Sequence, residues 1–213
     1  MTGTPATRRR APAMSPEERR ATIIEAALPL LAEHGTQVTT SQVATAASIA
    51  EGTVFRVFRD KQDLIDQCVR QALRPEEGLA AVSAVPRDLP LEVRLRVAAH
   101  RIADRVSRIG ALMHALSATG YRVERMHDER WHADRQQWIQ DTTEALAELI
   151  GPEADRLRLP AERVAQVFLG VVFSSQFAGQ MRGCQDNADD AHAMNELIDV
   201  FLRGVLTEET GKA

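Results

Sequence analysis

Cysteine and long apolar runs are scarce in this chain. Cys68 and Cys184 are the only cysteines among 213 residues, and neither belongs to a CxxC pair, so a zinc site or redox dithiol lacks its usual spacing. We interpret both as ordinary half-buried thiols. No apolar run approaches the roughly 20 residues of a membrane-spanning helix, and the basic N-terminus lacks the apolar segment of a signal peptide. The sequence therefore predicts no membrane insertion and a cytoplasmic location.

Motifs for catalysis and metal binding are also missing. The sequence contains no glycine-rich phosphate loop, no GxSxG motif and no paired carboxylates in an apolar setting. His127 and His132 are five residues apart, off the i, i+4 spacing of helical metal pairs, although Asp128 shares a helical face with His132. We interpret this polar stretch as a solvated helix surface. The sequence predicts no metal, no cofactor and no enzyme activity.

Positive charge is in deficit overall, with a formal net charge of −4. That balance argues against a protein that coats nucleic acid through bulk electrostatics. The distribution is uneven, because residues 1–74 hold ten Arg and Lys against eight Asp and Glu, whereas residues 75–213 hold sixteen against twenty-two. Any nucleic-acid surface should therefore be N-terminal.

Alternating β-type stretches are absent, and helix signals take their place. "SPEE" at Ser15 combines a capping box with a proline at the first helical position. The helix should end at Gly35 in a left-handed conformation, with a kink at Pro29. A second capping box joins Thr39 to Gln42. The pattern predicts an all-α fold.

Two short helices joined by a tight turn at Ser48–Ile49 then suggest a helix-turn-helix, followed by a helix capped by Asp60. Proline and glycine interrupt residues 74–90, the best candidate domain boundary. We expect a flexible basic arm over 1–14 with Arg8–Arg10, a DNA-binding domain over 15–74 and a helical domain over 75–213. Helices of the latter are predicted at 91–108, 110–118, 121–150, 160–183 and 189–207.

Three segments, "IIEAALPLLAEHG", "TTSQVATAASIAEGTVFRVF" and "DKQDLI", resemble the TetR family of bacterial transcription regulators in order and spacing. The resemblance covers about fifty N-terminal residues. It implies a helix-turn-helix domain that binds DNA, joined to an all-helical domain that binds an effector and dimerises. The residues that it assigns to DNA contact are Ser41, Gln42, Glu51, Gly52, Thr53, Phe55, Arg56, Val57 and Lys61.

Four positions depart from the family pattern. The family often has Gly at Ser48, Lys at Glu51, and Tyr at Phe55 and Val57, so two phosphate-binding hydroxyls are absent here. Glu51 has two interpretations that the sequence leaves open. It can satisfy the dipole of its helix, or it can accept a hydrogen bond from a cytosine amino group.

The C-terminal half contains small residues at four-residue spacing, and the resemblance implies a dimer interface formed by the last two helices of each subunit. A monomer core would produce a similar pattern. The interface candidates are Gly170, Ser174, Ala178, Gly179, Leu197 and Phe201. Candidates to line an effector cavity, each also compatible with a core position, are Met113, His114, Trp131, Trp138, Phe168 and Phe173.

We therefore expect a homodimeric, ligand-responsive regulator, most simply a repressor that an unknown small molecule releases from a palindromic double-stranded DNA operator. Coupling between the two sites is expected through the helix after Asp60. Two alternatives are a non-regulatory helical small-molecule-binding protein and a helical enzyme.

Overall fold

The computed structural model describes residues 14–122, 129–182 and 187–206. Within these ranges no β-strand occurs, apart from one isolated antiparallel bridge between Leu157 and Leu206. The predicted all-α fold is therefore confirmed. The helices of the described part are α1 Pro16–His34, α2 Thr40–Ala46, α3 Glu51–Val57, α4 Lys61–Ala72, α5 Pro75–Ser83, α6 Leu91–Ala118, α7 Glu129–Ile150, α8 Ala161–Arg182 and α9 Asn187–Val205, with 3₁₀ turns at Gly35–Gln37 and Gly151–Arg156.

The helix starts predicted in the N-terminal domain are confirmed. The backbone N–H of Glu18 donates to Ser15 Oγ at 3.1 Å, and Glu18 Oε2 accepts from the backbone N–H of Ser15 at 2.7 Å. The latter bond holds the pKa of the Glu18 carboxyl below its usual value. A second capping box is formed by Thr39 and Gln42. Side-chain caps thus fix where α1 and α2 begin.

Two predicted interruptions are wrong. The 74–90 stretch contains α5, because Pro75 occupies the first helical position, where its missing N–H costs nothing. Helix α6 runs unbroken through Gly110, where separate helices at 91–108 and 110–118 were expected. An internal glycine costs about 1 kcal/mol relative to alanine. The α6 residues before and after Gly110 are buried in two hydrophobic cores, and this burial outweighs that cost. Helix α1 continues past Pro29 to His34, and the kink there stays a prediction.

The described helices bury two hydrophobic cores. The first, here the N-terminal core, gathers α1 to α4 and also takes Leu112, Leu116 and Tyr121 from the C-terminal end of α6 and the residues after it. The second, the C-terminal core, gathers α5, α7, α8 and α9 around the N-terminal half of α6. Helix α6 therefore crosses between both cores, and the domain limits 15–74 and 75–213 stay a prediction.

A polar contact locks the end of α6 to the end of α1. The backbone N–H of Thr36 donates to Thr119 Oγ1 at 2.7 Å, and Thr36 Oγ1 donates to the carbonyl of Thr119 at 2.8 Å. Gly35 permits this approach through its positive φ of 55°. Nearby, Tyr121 donates its hydroxyl to Asp66 of α4 at 2.8 Å. We call the Gly35–Thr36–Thr119 contact the α1–α6 latch.

Replacing Gly35 with alanine should destabilise the fold strongly. A Cβ at Gly35 would lie 2.2 Å from Thr119 Oγ1 and 2.3 Å from the carbonyl oxygen of Ala115, in addition to the strain of the positive φ. We expect a loss of about 3 kcal/mol in unfolding free energy, measured by urea denaturation. Gly151→Ala, where no atom lies within 4 Å of the new Cβ, is the control. Equal urea midpoints for the two variants would contradict this account.

Candidate nucleic-acid interface

The turn between α2 and α3 has the compact geometry of a helix-turn-helix. The backbone N–H of Ile49 donates to the carbonyl of Ala44 at 2.9 Å and closes the turn. Ser48 adopts a φ of 55°, the one positive φ of a non-glycine residue in the described ranges. Such a conformation costs an L-residue roughly 1–2 kcal/mol. The sequence departure at Ser48 therefore falls on a position whose backbone favours glycine.

Helix α3 has one buried face and one exposed face. Val54 is buried in the N-terminal core, as is Phe58 just after the helix, and Val57 is partly buried against the same core. Val57 is thus less available to DNA than predicted. The opposite side exposes Glu51, Gly52, Phe55 and Arg56, and Thr53 lies at its edge, half-buried. We call these last five residues the reading face.

Arg20 of α1 fixes the C-terminal end of α3. Its guanidinium donates to Gln67 Oε1 at 2.6 Å and to the carbonyl of Val57 at 3.3 Å. The same group lies 5.5 Å from the ring centroid of Phe58, a cation–π distance. One side chain thus joins α1, α3 and α4. Nothing in the sequence indicates this role, because Arg20 resembles any exposed arginine of α1.

Glu51 makes a contact that the sequence did not indicate. Its Oε1 accepts a hydrogen bond from Thr40 Oγ1 at 2.6 Å. Thr40 is the first residue of α2 and Glu51 the first residue of α3, so the bond joins the starts of the two helices. It also sets the direction of an exposed carboxylate.

Flanking the reading face, the starts of α2 and α4 carry the remaining predicted contacts. Ser41 and Gln42 are exposed on α2. The Gln42 side-chain oxygen accepts from the Thr39 backbone N–H at 2.8 Å, which directs its amide nitrogen away from the cap.

Lys61 is the first residue of α4, after the cap Asp60, whose carboxylate accepts from the backbone N–H of Asp63 at 2.8 Å. Beside it, hydrogen bonds from Gln67 and from the Arg59 backbone N–H hold the pKa of the Asp63 carboxyl below its usual value. Arg8–Arg10 lie outside the described residues. Lys61, at the start of α4, is suitably placed to bind a phosphate.

Of the six effector-cavity candidates, the five whose side chains the structure describes do not come together. Met113 packs against the N-terminal core, and His114 is exposed on α6. Phe168 is fully buried in the C-terminal core. The side chain of Trp131 lies outside the described residues, as do His127 and Asp128. A shared cavity lined by all these residues is therefore not supported.

Trp138 and Phe173 do meet, edge to face, with ring centroids 5.7 Å apart. Trp138 Nε1 is buried and has no hydrogen-bond partner among the described residues. It packs so close to α5 that a Cβ at Gly78 would lie 2.6 Å from it. An open cleft of about 770 Å³ occurs elsewhere, and none of the six candidates lines it. Its walls are Pro90, Leu91, Glu92, Arg156, Asp199, Leu202, Arg203 and Leu206.

The dimer candidates separate into two groups. Phe201 is buried in the C-terminal core, 5.4 Å from Phe168 between ring centroids, so it stabilises its own subunit and the prediction that it faces a partner is not supported. Ala178 and Gly179 lie within α8, and their surroundings are outside what the structure describes. Gly170, Ser174 and Leu197 are exposed.

Three further residues extend the exposed dimer candidates into a stripe along α8 and α9. Val200 is 69% exposed and Val167 44%, values unusual for large apolar side chains, and Gly204 is also exposed. We call Val167, Gly170, Ser174, Leu197, Val200 and Gly204 the α8–α9 face.

Cys68 is fully buried, where a half-buried thiol was expected, and burial raises its thiol pKa to about 12. Cys184 lies outside the described residues. Among the helices described, none is both long and apolar enough to cross a bilayer.

Comparison with known proteins gives a family match and a fold match. Residues 23–68 match the model of bacterial regulatory proteins, tetR family. No curated protein matches the chain. Among solved structures, a Mesorhizobium loti protein assigned to the tetR family of transcriptional regulators is 15% identical, with a TM-score of 0.64 over 92% of this chain and 100% of that one.

Two further solved structures are similar in fold. A tetR-family regulator from Streptomyces coelicolor is 23% identical, with a TM-score of 0.58 over 88% of this chain and 80% of its own. The regulator FadR from Bacillus subtilis, solved with stearoyl-CoA, is 16% identical, with a TM-score of 0.54 over 86% and 98%. At these identities the structural likeness establishes the fold alone.

Ser48→Gly should stabilise the protein by about 0.5 kcal/mol, because relief of the left-handed strain exceeds the extra backbone entropy of glycine in the unfolded chain. The neighbouring Ala47→Gly, at a φ of −79°, should instead lower stability by about 0.5–1 kcal/mol. Urea denaturation of both variants at one protein concentration measures the difference. A shift of the same sign in both would contradict the assigned turn geometry.

Proposed function

Residues 23–68 place this chain in the tetR family of bacterial regulatory proteins, and from that premise we propose that it is a homodimeric, ligand-responsive transcriptional repressor that acts in the cytoplasm. The observation that carries the proposal is the reading face of α3. It presents Glu51, Thr53, Phe55 and Arg56 outward while Val54 anchors the helix in the N-terminal core. A short helix held in this way fits the major groove and offers side chains to base edges.

The remaining predicted contacts would hold the phosphate backbone. Ser41 and Gln42 at the start of α2, and Lys61 at the start of α4, flank the reading face along the chain. Hydroxyl, amide and ammonium groups at helix starts are common phosphate partners and set the register of a protein on the duplex. Arg8–Arg10 of the N-terminal arm would add positive charge.

Dimerisation is supported by the α8–α9 face. Val167, Leu197 and Val200 are exposed apolar side chains, and Gly170 has no atom within 4 Å of a would-be Cβ, so a partner helix could approach closely there. A two-fold axis through this face would repeat the α8–α9 pair as a four-helix bundle. Two reading faces related by that axis would require a palindromic operator.

A ligand site between α5, α7 and α8 is supported by Trp138. Its buried N–H lacks a partner among the described residues, and its ring meets that of Phe173 in a T-shaped contact, so a small molecule with an acceptor group would satisfy the N–H. The regulator FadR, which is similar in fold, was solved with stearoyl-CoA, a molecule that joins a long apolar acyl chain to a charged CoA group.

Coupling between ligand and DNA would run through α6. Arg105 of α6 is buried and donates to the carbonyls of Ala72 and Arg74 at the end of α4, which connects α6 to the helix predicted to transmit the signal. A ligand that shifts α6 would therefore move the reading faces of the two subunits through α4 and the α1–α6 latch.

Selection of bound duplexes from a random DNA pool at near-physiological salt tests the proposal. An enriched palindrome is the expected result, and a ligand that lowers affinity for it would identify an effector. Folded protein that enriches nothing would overturn the proposal. A ligand-binding protein without regulatory function, or a helical enzyme, would then be the interpretation to pursue.

Arg56→Ala should weaken binding to the selected duplex by roughly tenfold to a hundredfold, the range of one good base contact. Arg108→Ala is the matched control, since Arg108 is an exposed arginine of α6, outside the N-terminal domain. Fluorescence anisotropy measures affinity, while circular dichroism and sedimentation verify fold and dimer. If both variants bound the duplex with equal affinity, Arg56 would not be a DNA contact.

Val200→Asp should convert the dimer to monomers, because it places a carboxylate on an apolar surface that two subunits bury together. We expect the dimer dissociation constant to rise by about tenfold or more, measured by sedimentation equilibrium. Val93→Asp, at a valine of α6 that is 40% exposed, should leave association unchanged. A Val200→Asp variant that stays dimeric would exclude this face as the interface.

A further inference from the structure

The Glu51 carboxylate is held in place at the edge of the reading face. It is exposed, yet its Oε1 accepts a 2.6 Å hydrogen bond from Thr40 Oγ1. A carboxylate offers about four acceptor positions on two oxygens, and Thr40 occupies one of them. The Thr40 bond therefore limits the rotamers of Glu51 while leaving acceptor capacity directed outward.

Glu51 does not act as the cap of α3. A capping side chain accepts from backbone N–H groups of the first helical turn, but α3 has no side-chain cap hydrogen bond, and the contact of Glu51 goes to α2. Its negative charge near the start of α3 remains favourable for the helix dipole. Dipole stabilisation requires neither the bond to Thr40 nor exposure on the reading face.

The charge of Glu51 restricts what it can contact on DNA. A carboxylate has no proton to donate at neutral pH and is repelled by phosphates. In the major groove it is equally unsuited to guanine, whose N7 and O6 are acceptors. Only the exocyclic amino groups of cytosine and adenine can donate to it.

Of these two bases, cytosine suits a carboxylate better. Adenine presents the acceptor N7 beside its amino group, so it matches an amide that donates and accepts, whereas cytosine presents only its amino donor in the major groove. Arg56, five residues after Glu51, is also exposed on α3. A guanidinium there favours guanine, which is compatible with a site rich in G·C pairs.

We propose that Glu51 is a specificity-determining residue that accepts a hydrogen bond from the amino group of a cytosine in each operator half-site, and that Thr40 positions it. This inference rests on the proposed function, because it requires that α3 enter the major groove. Thr40 acts through Glu51 and is a positioning residue. The ligand recognised is a G·C pair oriented with its cytosine toward the start of α3.

Selections from the same random pool, run in parallel on the full-length wild type and four variants, test the inference. Wild type should enrich a palindrome with one symmetric cytosine position. Glu51→Gln should shift that position toward adenine, and Glu51→Ala should lose about tenfold of discrimination there while other positions keep theirs. Thr40→Val should weaken the same preference without changing its identity. Glu162→Gln, which removes a carboxylate exposed on α8, should change nothing.

The possible results separate the inference from the proposed function. Wild-type protein that is folded but enriches no sequence would overturn the proposed function and the inference together. An enriched palindrome that all Glu51 variants recognise unchanged would overturn the inference alone. A uniform rise in the affinity of Glu51→Ala for every duplex, with no change in base preference, would also overturn it, since the carboxylate would then act only by repulsion.

Discussion

Helix α6 is shared by two hydrophobic cores, and the arrangement of the other helices depends on it. Its 28 residues, about 42 Å long, contribute Leu95, Ala98 and Ile102 to the C-terminal core and Leu112 and Leu116 to the N-terminal core. The α1–α6 latch then fixes its end to α1. A shift of α6 in one core cannot be absorbed by a flexible linker, because helix continues through Gly110. The two ends of the molecule are mechanically connected by one element.

The reading face is stable only because α3 is held by contacts with the other helices of the N-terminal core. Helix α3 has seven residues, too few to form a stable helix in water. Its conformation is imposed by Val54 and Phe58 in the N-terminal core, by Arg20 across its C-terminal end and by the Thr40–Glu51 bond at its start. Because Val54, Phe58, Arg20 and the Thr40–Glu51 bond supply this anchoring, the exposed side chains of Phe55 and Arg56 are not needed to hold the helix.

Local signals in the sequence predicted the starts of α1 and α2 correctly, whereas contacts between distant residues were not predicted. Capping boxes depend on residues three positions apart, so Ser15 and Thr39 marked their helices correctly. The Thr40–Glu51 and Thr36–Thr119 hydrogen bonds join residues 11 and 83 positions apart, and no periodicity indicates such pairs. Phe201 is predicted at the dimer interface but lies in the core, because an apolar helical stripe does not reveal which neighbour it meets. Val200, one residue earlier, faces outward.

Because the two hydrophobic cores share α6, neither core can unfold without affecting the other. If either core opened alone, the half of α6 packed in it would lose its apolar cover while the other half remained packed. The helix would then have to break near Gly110 or expose a continuous apolar surface. Both outcomes are costly, so the two cores should melt as one cooperative unit, and the backbone amides of α6 should be among the slowest in the molecule to exchange with solvent.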